Sequence, residues 1–428
     1  MLHDGMSQRV AIVGGSRIPF CRSHSIYKGV SNQELMTAAL KGVVDKFDLR
    51  GQTLGDVALG AVIKHSRDFN LARESVIDSG LSMKTPGVDL QRACGTSLEA
   101  AIMVGNKIAL GQIDSGIAGG TDTISDAPIV FKDKFRHMLL DMNSARSLGG
   151  RLAALARFRP GMLAPDFPSV LEPRTQLSMG ESTELTAKEW GIERQHQDHI
   201  AYLSHQKAAA AYDEGWYDDL VVPFMDCEED NNIRRDTTPE KLAKLKPVSD
   251  KSSEGTMTAG NSTPLTDGAA AVLLANEDWA RKKNLPIQAY LTFARVAAVD
   301  FVNKEGLLLA PAYAVSDMLK QADLTLQDFD FYEIHEAFAA QTLATLKAWQ
   351  DVTFCRDRLG RNEAMGSIDM ERLNVKGGSI AMGHPFAATG ARIIGTLAKL
   401  LHENGGGRGL ISVCTAGGMG VTAILESA

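Results

Sequence analysis

Twice in this chain an apolar helical pattern leads into an apolar strand that ends in a pair of glycines. The first helical pattern covers residues 97–110 and its strand 115–121, with Gly119-Gly120 near the end. The second covers 387–401 and its strand 409–413, followed by Cys414-Thr415-Ala416-Gly417-Gly418. In the first helix Leu98, Ala100, Ala101, Ile102, Met103, Val104, Ile108 and Leu110 leave almost no polar face. Such a helix is expected to be buried on every side. The recurrence points to an internal duplication, with the two buried helices meeting about a pseudo-twofold axis.

The surrounding pattern alternates. Residues 9–14 read as a buried strand, 33–46 as a helix, 57–64 and 88–91 as strands, and 269–275 as another apolar strand. Alternation of this kind predicts an α/β layered fold. At 428 residues the chain is too long for one ordinary core. Residues 1–123 read as the first part of an N-terminal half, 124–247 as an inserted lobe, 248–280 as the return to that half and 281–428 as the C-terminal half. The lobe carries longer helical patterns at 182–190 and 194–215.

Composition removes several function classes. A net charge of −7 argues against nucleic acid as the partner. Five cysteines lie far apart with no CxxC pair, which suits a reducing cytoplasm and argues against a disulfide framework or a zinc site. Met1-Leu2-His3-Asp4-Gly5 is not a cationic segment before an apolar one, so no secretory signal is expected. No apolar run approaches the ~20 residues of a membrane-spanning helix.

The chemistry begins at Cys94, in Gln91-Arg92-Ala93-Cys94-Gly95-Thr96-Ser97, where a strand gives way to the first apolar helix. A helix N-terminus favours thiolate over thiol, and the thiolate is the nucleophile. Gly383-His384-Pro385 precedes the second apolar helix, and Cys414 ends the second apolar strand. A cysteine, a histidine able to take a proton near neutral pH, and a second cysteine in a glycine-rich turn point to acyl transfer through a thioester. There is no metal cluster, P-loop or GxGxxG fingerprint.

These segments, with Met179-Gly180, the run from Ala259 through Asn261, Thr263 and Asp267 to Ala271, and His335-Glu336-Ala337-Phe338-Ala339, together resemble the thiolase family over nearly the whole chain. Within it the chain is most similar to degradative 3-ketoacyl-CoA thiolases of fatty-acid β-oxidation, of the trifunctional-complex β-subunit type. The resemblance implies a five-layer αβαβα fold of two duplicated halves with an inserted loop domain. It also implies CoA-dependent thiolysis of 3-ketoacyl-CoA, with CoA as co-substrate and no cofactor. Cys94 would be the nucleophile, His384 its base and Cys414 the second acid/base. His335 stands where most relatives carry asparagine, and with His384 it would form an oxyanion hole, directly or through water. The backbone N–H groups of Cys94 and Ala416 would form a second one. Met179 and Thr263 would lie along the pantetheine, Phe338 beside the acyl group, and Arg234 near the adenine nucleotide. The alternatives are acetoacetyl-CoA formation by the reverse condensation and a non-catalytic lipid-carrier or scaffold subunit.

One lobe segment stands apart. Phe131, Phe135, Met138, Leu139 and Met142 share a helical face, and Leu148, Leu152 and Leu155 continue the spacing. Residues 131–160 hold seven Lys/Arg against two Asp, a local charge of +5 in an acidic chain. A basic amphipathic helix is suited to an anionic membrane or a partner subunit. Trifunctional-type relatives imply a hydratase/dehydrogenase α-subunit, and the fold implies a homodimer or homotetramer.

Overall fold

The structure, a computed structural model, describes residues 8–427. The expectation about Met1-Leu2-His3-Asp4-Gly5 lies outside the described residues. The N-terminal half contains β1 (Val10–Arg17), α1 (Asn32–Lys46), β2 (Asp56–Leu59), α2 (Leu71–Ser79), β3 (Gly87–Asp89), α3 (Thr96–Ala109) and β4 (Ser115–Asp122). The lobe carries α4 (Asp133–Ser144), α5 (Leu148–Leu155), α6 (Met179–Glu189) and α7 (Arg194–Asp213). β5 (Thr266–Asn276) returns to the first half. The second half follows as β6 (Ala289–Ala298), α8 (Ala310–Ala322), β7 (Phe331–Ile334), α9 (Ala339–Gln350), α10 (Thr389–Glu403), β8 (Arg408–Thr415) and β9 (Met419–Glu426).

The duplication is visible in the strand pairing. In the first half β1 pairs antiparallel with β5, β5 antiparallel with β4, and β4 parallel with β2. In the second, β6 pairs antiparallel with β9, β9 antiparallel with β8, and β8 parallel with β7. Even the edge is repeated: β2 pairs parallel with β3, and Tyr332 of β7 bridges parallel to Leu373. Two register pairs, Ala11 with Tyr290 and Ile12 with Ala289, join the halves at β1 and β6.

Period-two alternation sorts each strand between layers. On β5, Ala270, Val272 and Leu274 pack with α3 and α10, while Ala269, Ala271, Leu273 and Ala275 pack with α1 and α2. In the second half Ile411, Val413, Val421, Ala423 and Leu425 face the same central helices, while Leu410 and Ile424 face α8 and α9. The result is five layers, αβαβα, with α3 and α10 in the middle. Their N-termini meet closely: Ala391 N–H donates to Ser97 Oγ at 2.8 Å, and a Cβ on Gly390 would stand 2.4 Å from Leu98 N. Gly390 therefore cannot be replaced without separating the helices that carry the chemistry.

Several expectations need correction. The strand expected over 57–64 ends at Leu59, because Asp122 draws Val62 N and Ile63 N out of register at 3.0 and 2.7 Å. The α3 helix is not buried all round: Ile102 and Met103 are half-buried, and Leu110 just beyond it is 72% exposed. The helix expected from residue 182 begins at Met179, where Ser178 and Glu181 form a capping box. The 131–160 segment is not one continuous amphipathic helix. Ser147 caps a new one, and α4 and α5 form a hairpin. Phe135 and Met138 are spent inside that hairpin, whereas Phe131 and Leu139 of the predicted face are exposed, as are Leu140, Leu148, Leu152 and Leu155.

Candidate active site

Cys94 follows β3 through a tight turn. Ala93 sits at φ +43°, a left-handed conformation costly for a residue with a Cβ. Thr96 holds it there, its Oγ1 donating to Ala93 O at 2.7 Å and accepting from Arg92 N at 2.9 Å. Gly95 caps α3, so the thiol does stand at a helix N-terminus. The electrostatic expectation fails, however. Burial pushes the Cys94 thiol up to about 12, against the N–H groups of Ala416 and Cys94, which lower it, and with Asp122 raising it further. Desolvation outweighs the helix terminus here. The resting group is a thiol, and a base must remove its proton.

Two histidines stand ready. His335 follows β7, its N–H still donating to Ser412 O on β8 at 2.8 Å. His384 follows Gly383, whose φ of +100° suits only glycine. The rings lie 4.1 Å apart between centroids. Each ring uses Nδ1 for support: His335 with Ser379 Oγ at 2.8 Å, His384 with Thr389 Oγ1 at 2.5 Å. Each leaves a buried Nε2 with no protein partner. The Cys94 sulfur and one nitrogen from each ring fall within 4.8 Å of one another.

Both rings are neutral. Burial, aided by the charge of Arg392, lowers His384 to about 3. Burial, then His384 and Arg392, hold His335 well below the usual imidazole range. The same arginine braces the support of His335: Arg392 Nη2 donates to Ser379 Oγ at 3.1 Å. When Ser379 donates its own O–H to His335 Nδ1, the ring proton sits on His335 Nε2.

Cys414 is the penultimate residue of β8, fully buried, and burial followed by the Cys94 charge pushes its thiol well above the ordinary value. The turn beyond it is pinned from the lobe, where Glu172 accepts from Gly417 N at 2.6 Å. Cys414, Met179 and Phe338 share one apolar cluster with Phe301, Leu307 and Leu308. Thr263 donates N–H to Ala337 O at 3.1 Å and Oγ1–H to Ser379 O at 2.7 Å, so its hydroxyl hydrogen is already committed. Arg234 and Thr263 line a cavity of about 350 Å³ together with Arg22, His205, Asn231 and Asn232.

The N-terminal domain model of thiolases matches residues 10–278, and the C-terminal domain model matches 285–427. The chain belongs to the thiolase family. It is 42% identical over 424 residues to a 3-ketoacyl-CoA thiolase of Yersinia pestis, covering 98% of this chain and 97% of that one. An acetyl-CoA acetyltransferase of Bacillus anthracis superimposes with a TM-score of 0.83 at 29% identity over 99% of this chain and 100% of that one. Human mitochondrial 3-ketoacyl-CoA thiolase in complex with CoA superimposes with a TM-score of 0.82 at 28% identity, covering 100% of both chains.

The thiolase fold thus brings Cys94, His335, His384 and Cys414 together, with Met179 and Phe338 beside Cys414 and Thr263 and Arg234 along a neighbouring cavity. Reading the sequence missed the supports: Ser379, Thr389, Arg392, Glu336 and Asp122. Glu336 accepts from Ser204, Asn374 and Ile380 N, which fixes the loop that carries Ser379. Asp122 accepts from Ala387 N at 2.9 Å and so holds the chain just past His384. Glu336, directly after His335, was the one support with a local signal. A thiol and two neutral imidazoles also have the make-up of a soft divalent-cation site, a grouping that no short ligand spacing announced.

Proposed function

We propose that the chain catalyses CoA-dependent thiolysis of 3-ketoacyl-CoA, giving acetyl-CoA and an acyl-CoA two carbons shorter. The observation that carries this reading is the Cys94 thiol within 4.8 Å of a ring nitrogen of both His335 and His384, each ring keeping a buried Nε2 with no protein partner. His384 Nε2 takes the Cys94 proton, with Nδ1–H directed to Thr389 Oγ1. The thiolate adds to the C3 ketone, and its oxyanion lies against the N–H groups of Cys94 and Ala416. The C2–C3 bond breaks. The electron pair becomes an acetyl-CoA enolate, whose thioester oxygen accepts from His335 Nε2–H and the protonated His384. Cys414 protonates its carbon. The Cys414 thiolate then takes the proton of incoming CoA–SH, which attacks the Cys94 thioester. Collapse releases acyl-CoA, and Cys94 recovers its proton from His384. The proton count closes with no external acid.

Phe301, Leu307 and Leu308 extend the Met179–Phe338 wall and suit the acyl chain, while Arg234 suits the nucleotide end of CoA. Likeness to an acetyl-CoA acetyltransferase supports a second reading, acetoacetyl-CoA formation. Thiolysis rates across four- to sixteen-carbon 3-ketoacyl-CoA substrates separate the two. Rates confined to four carbons favour the second reading. Absence of any acyl adduct on Cys94 defeats both and leaves the carrier or scaffold role.

The half-exposed flank of α3 supports a homodimer or homotetramer, which light scattering would report. We place the chain in the cytoplasm; among the described residues no helix is long and apolar enough to cross a membrane. The α4–α5 hairpin presents exposed Leu140, Leu148, Leu152 and Leu155 among basic side chains, and we assign it to an anionic lipid surface. Replacing Leu148, Leu152 and Leu155 with Gln should abolish binding to phosphatidylserine vesicles and spare thiolysis of short substrates. Unchanged vesicle binding, with lost binding to a hydratase/dehydrogenase subunit, would move the assignment to that partner.

A further inference from the structure

Two cysteines outside the catalytic set meet in the fold. Cys21 and Cys227, 206 residues apart, place their sulfurs 3.1 Å from each other, both buried and both free. Sequence spacing showed nothing of this pairing. Closing the gap to a disulfide bond of about 2.05 Å needs roughly 1 Å of movement. The segments that carry the two thiols are already docked. Arg17 forms a buried bidentate pair with Asp230 at 2.6 and 2.7 Å, and Asp230 also accepts from Phe20 N at 2.6 Å. Arg22 N donates to Asn231 Oδ1 at 2.7 Å.

The pair also sits at a functional wall. Arg22, directly after Cys21, and Asn231, Asn232 and Arg234, in the segment after Cys227, line one cavity with Thr263, and Arg234 and Thr263 are the residues read above as CoA contacts. Asn232 donates to Met382 O at 3.1 Å, and a Cβ on Gly383 would lie 2.7 Å from Asn232 Nδ2. The loop from Cys227 thus reaches the residue before His384. Cys227 keeps 4% exposure and follows Met225 and Asp226, both exposed, whereas Cys21 is wholly buried.

We propose that Cys21 and Cys227 are a disulfide site, closed by a peroxide, whose formation fastens one wall of the CoA cavity to the N-terminal half and weakens CoA binding. This rests on the cavity being the CoA site. Cys227 is the less deeply buried of the two sulfurs, so it meets the peroxide first. Its sulfur attacks one peroxide oxygen; the O–O bond breaks and water leaves, giving a sulfenic acid. The Cys21 sulfur then displaces that oxygen, and its proton departs with it as a second water. Two thiols are oxidised, one peroxide is reduced, and two waters form.

The test uses the whole chain with Cys94 protected as its acetyl thioester by prior incubation with acetyl-CoA. After hydrogen peroxide, a non-reducing peptide map should contain the Cys21–Cys227 linked peptide, absent from C21S and from C227S. The oxidised enzyme should show a KM for CoA about 3–10-fold higher, restored by dithiothreitol, with C227S unmoved by the same treatment. No linked peptide, at a peroxide dose that oxidises unprotected Cys94, overturns the site. A linked peptide with KM for CoA unchanged overturns its effect on the cavity. The linked peptide is read without any activity, so a chain inactive before oxidation would condemn the thiolysis reading and not the disulfide.

Discussion

The two central helices hold equivalent places in the duplicated halves, yet the protein treats them differently. Every residue of α10 from Thr389 to Leu401 is buried, including Arg392 and Lys399. The α3 helix leaves a flank open at Ile102, Met103 and Asn106. Their chemical contributions differ in the same sense. The first half supplies one reactive group, the Cys94 thiol, at a strained turn. The second half supplies His335, His384 and Cys414, all deeply buried, with each imidazole held from behind by a hydroxyl. A nucleophile must be reachable by a bulky substrate. Proton carriers must be dry, because burial keeps the imidazoles neutral and the second thiol protonated. Duplication preserved the topology and left each copy free to specialise in one of these demands.

The sharpest test of that division is Cys94→Ala. Loss of the only group that carries the acyl chain should cost at least about 10⁴-fold in kcat. Intact mass after acetyl-CoA should show the acetylated species in the parent and none in the variant. An adduct persisting in Cys94→Ala would move the nucleophile into the second half.

Within the second half the effects should be smaller and unequal in kind. His384→Ala and Cys414→Ala should each cost about 10²–10⁴-fold in thiolysis. Cys414→Ala should still acetylate Cys94 slowly, whereas His384→Ala should slow that acylation itself. His384, held near 3, stays neutral at any working pH, so acylation should show no acid limb between pH 8 and about 5. A midpoint near 6.5 would mean the ring is wet, and the contrast between the halves would fall.

The raised Cys94 thiol gives a third test. A group with a pKa pushed up to about 12 has few thiolates at neutral pH. In the unliganded enzyme, iodoacetamide should modify Cys94 about 10²–10³-fold more slowly at pH 7 than an ordinary free thiol. The rate should climb through pH 10 without a plateau, because each step in pH raises the small thiolate fraction in proportion. A plateau near pH 8 would show the helix N-terminus prevailing over burial.

What the sequence disclosed follows from the range of each force. Strand alternation and apolar helices are local, so the layers, the repeat and the position of Cys94 before α3 were legible. The CTAGGMG and GHP segments were legible as well, because glycines and a proline mark turns. Long-range desolvation was not. Nothing around Cys94 in the chain shows that the sheets close over it and reverse the effect of the helix terminus. Nor does any spacing connect Arg392 through Ser379 to His335, or Cys21 to Cys227. The α4–α5 hairpin misled for a related reason: one helical face can serve a fold-back as well as a docking surface, and only Ser147 marked the break.

The smallest expected effect concerns packing and tests the contrast between the helices without touching chemistry. Leu397 on α10 is wholly buried between the two sheets, so Leu397→Ala should remove about 2–5 kcal/mol of stability, as core truncations do. Leu110, at the end of α3, is 72% exposed, and Leu110→Ala should stay within about 0.5 kcal/mol for the protomer. Denaturant midpoints at low protein concentration measure both. If the open flank of α3 is a surface for a second copy, the Leu110 variant should also lower the midpoint only at high concentration, where association adds to stability. A cost above about 2 kcal/mol that does not vary with concentration would show that α3 is as enclosed as α10. The exposed flank would then be no real difference between the halves, and only their chemistry would separate them.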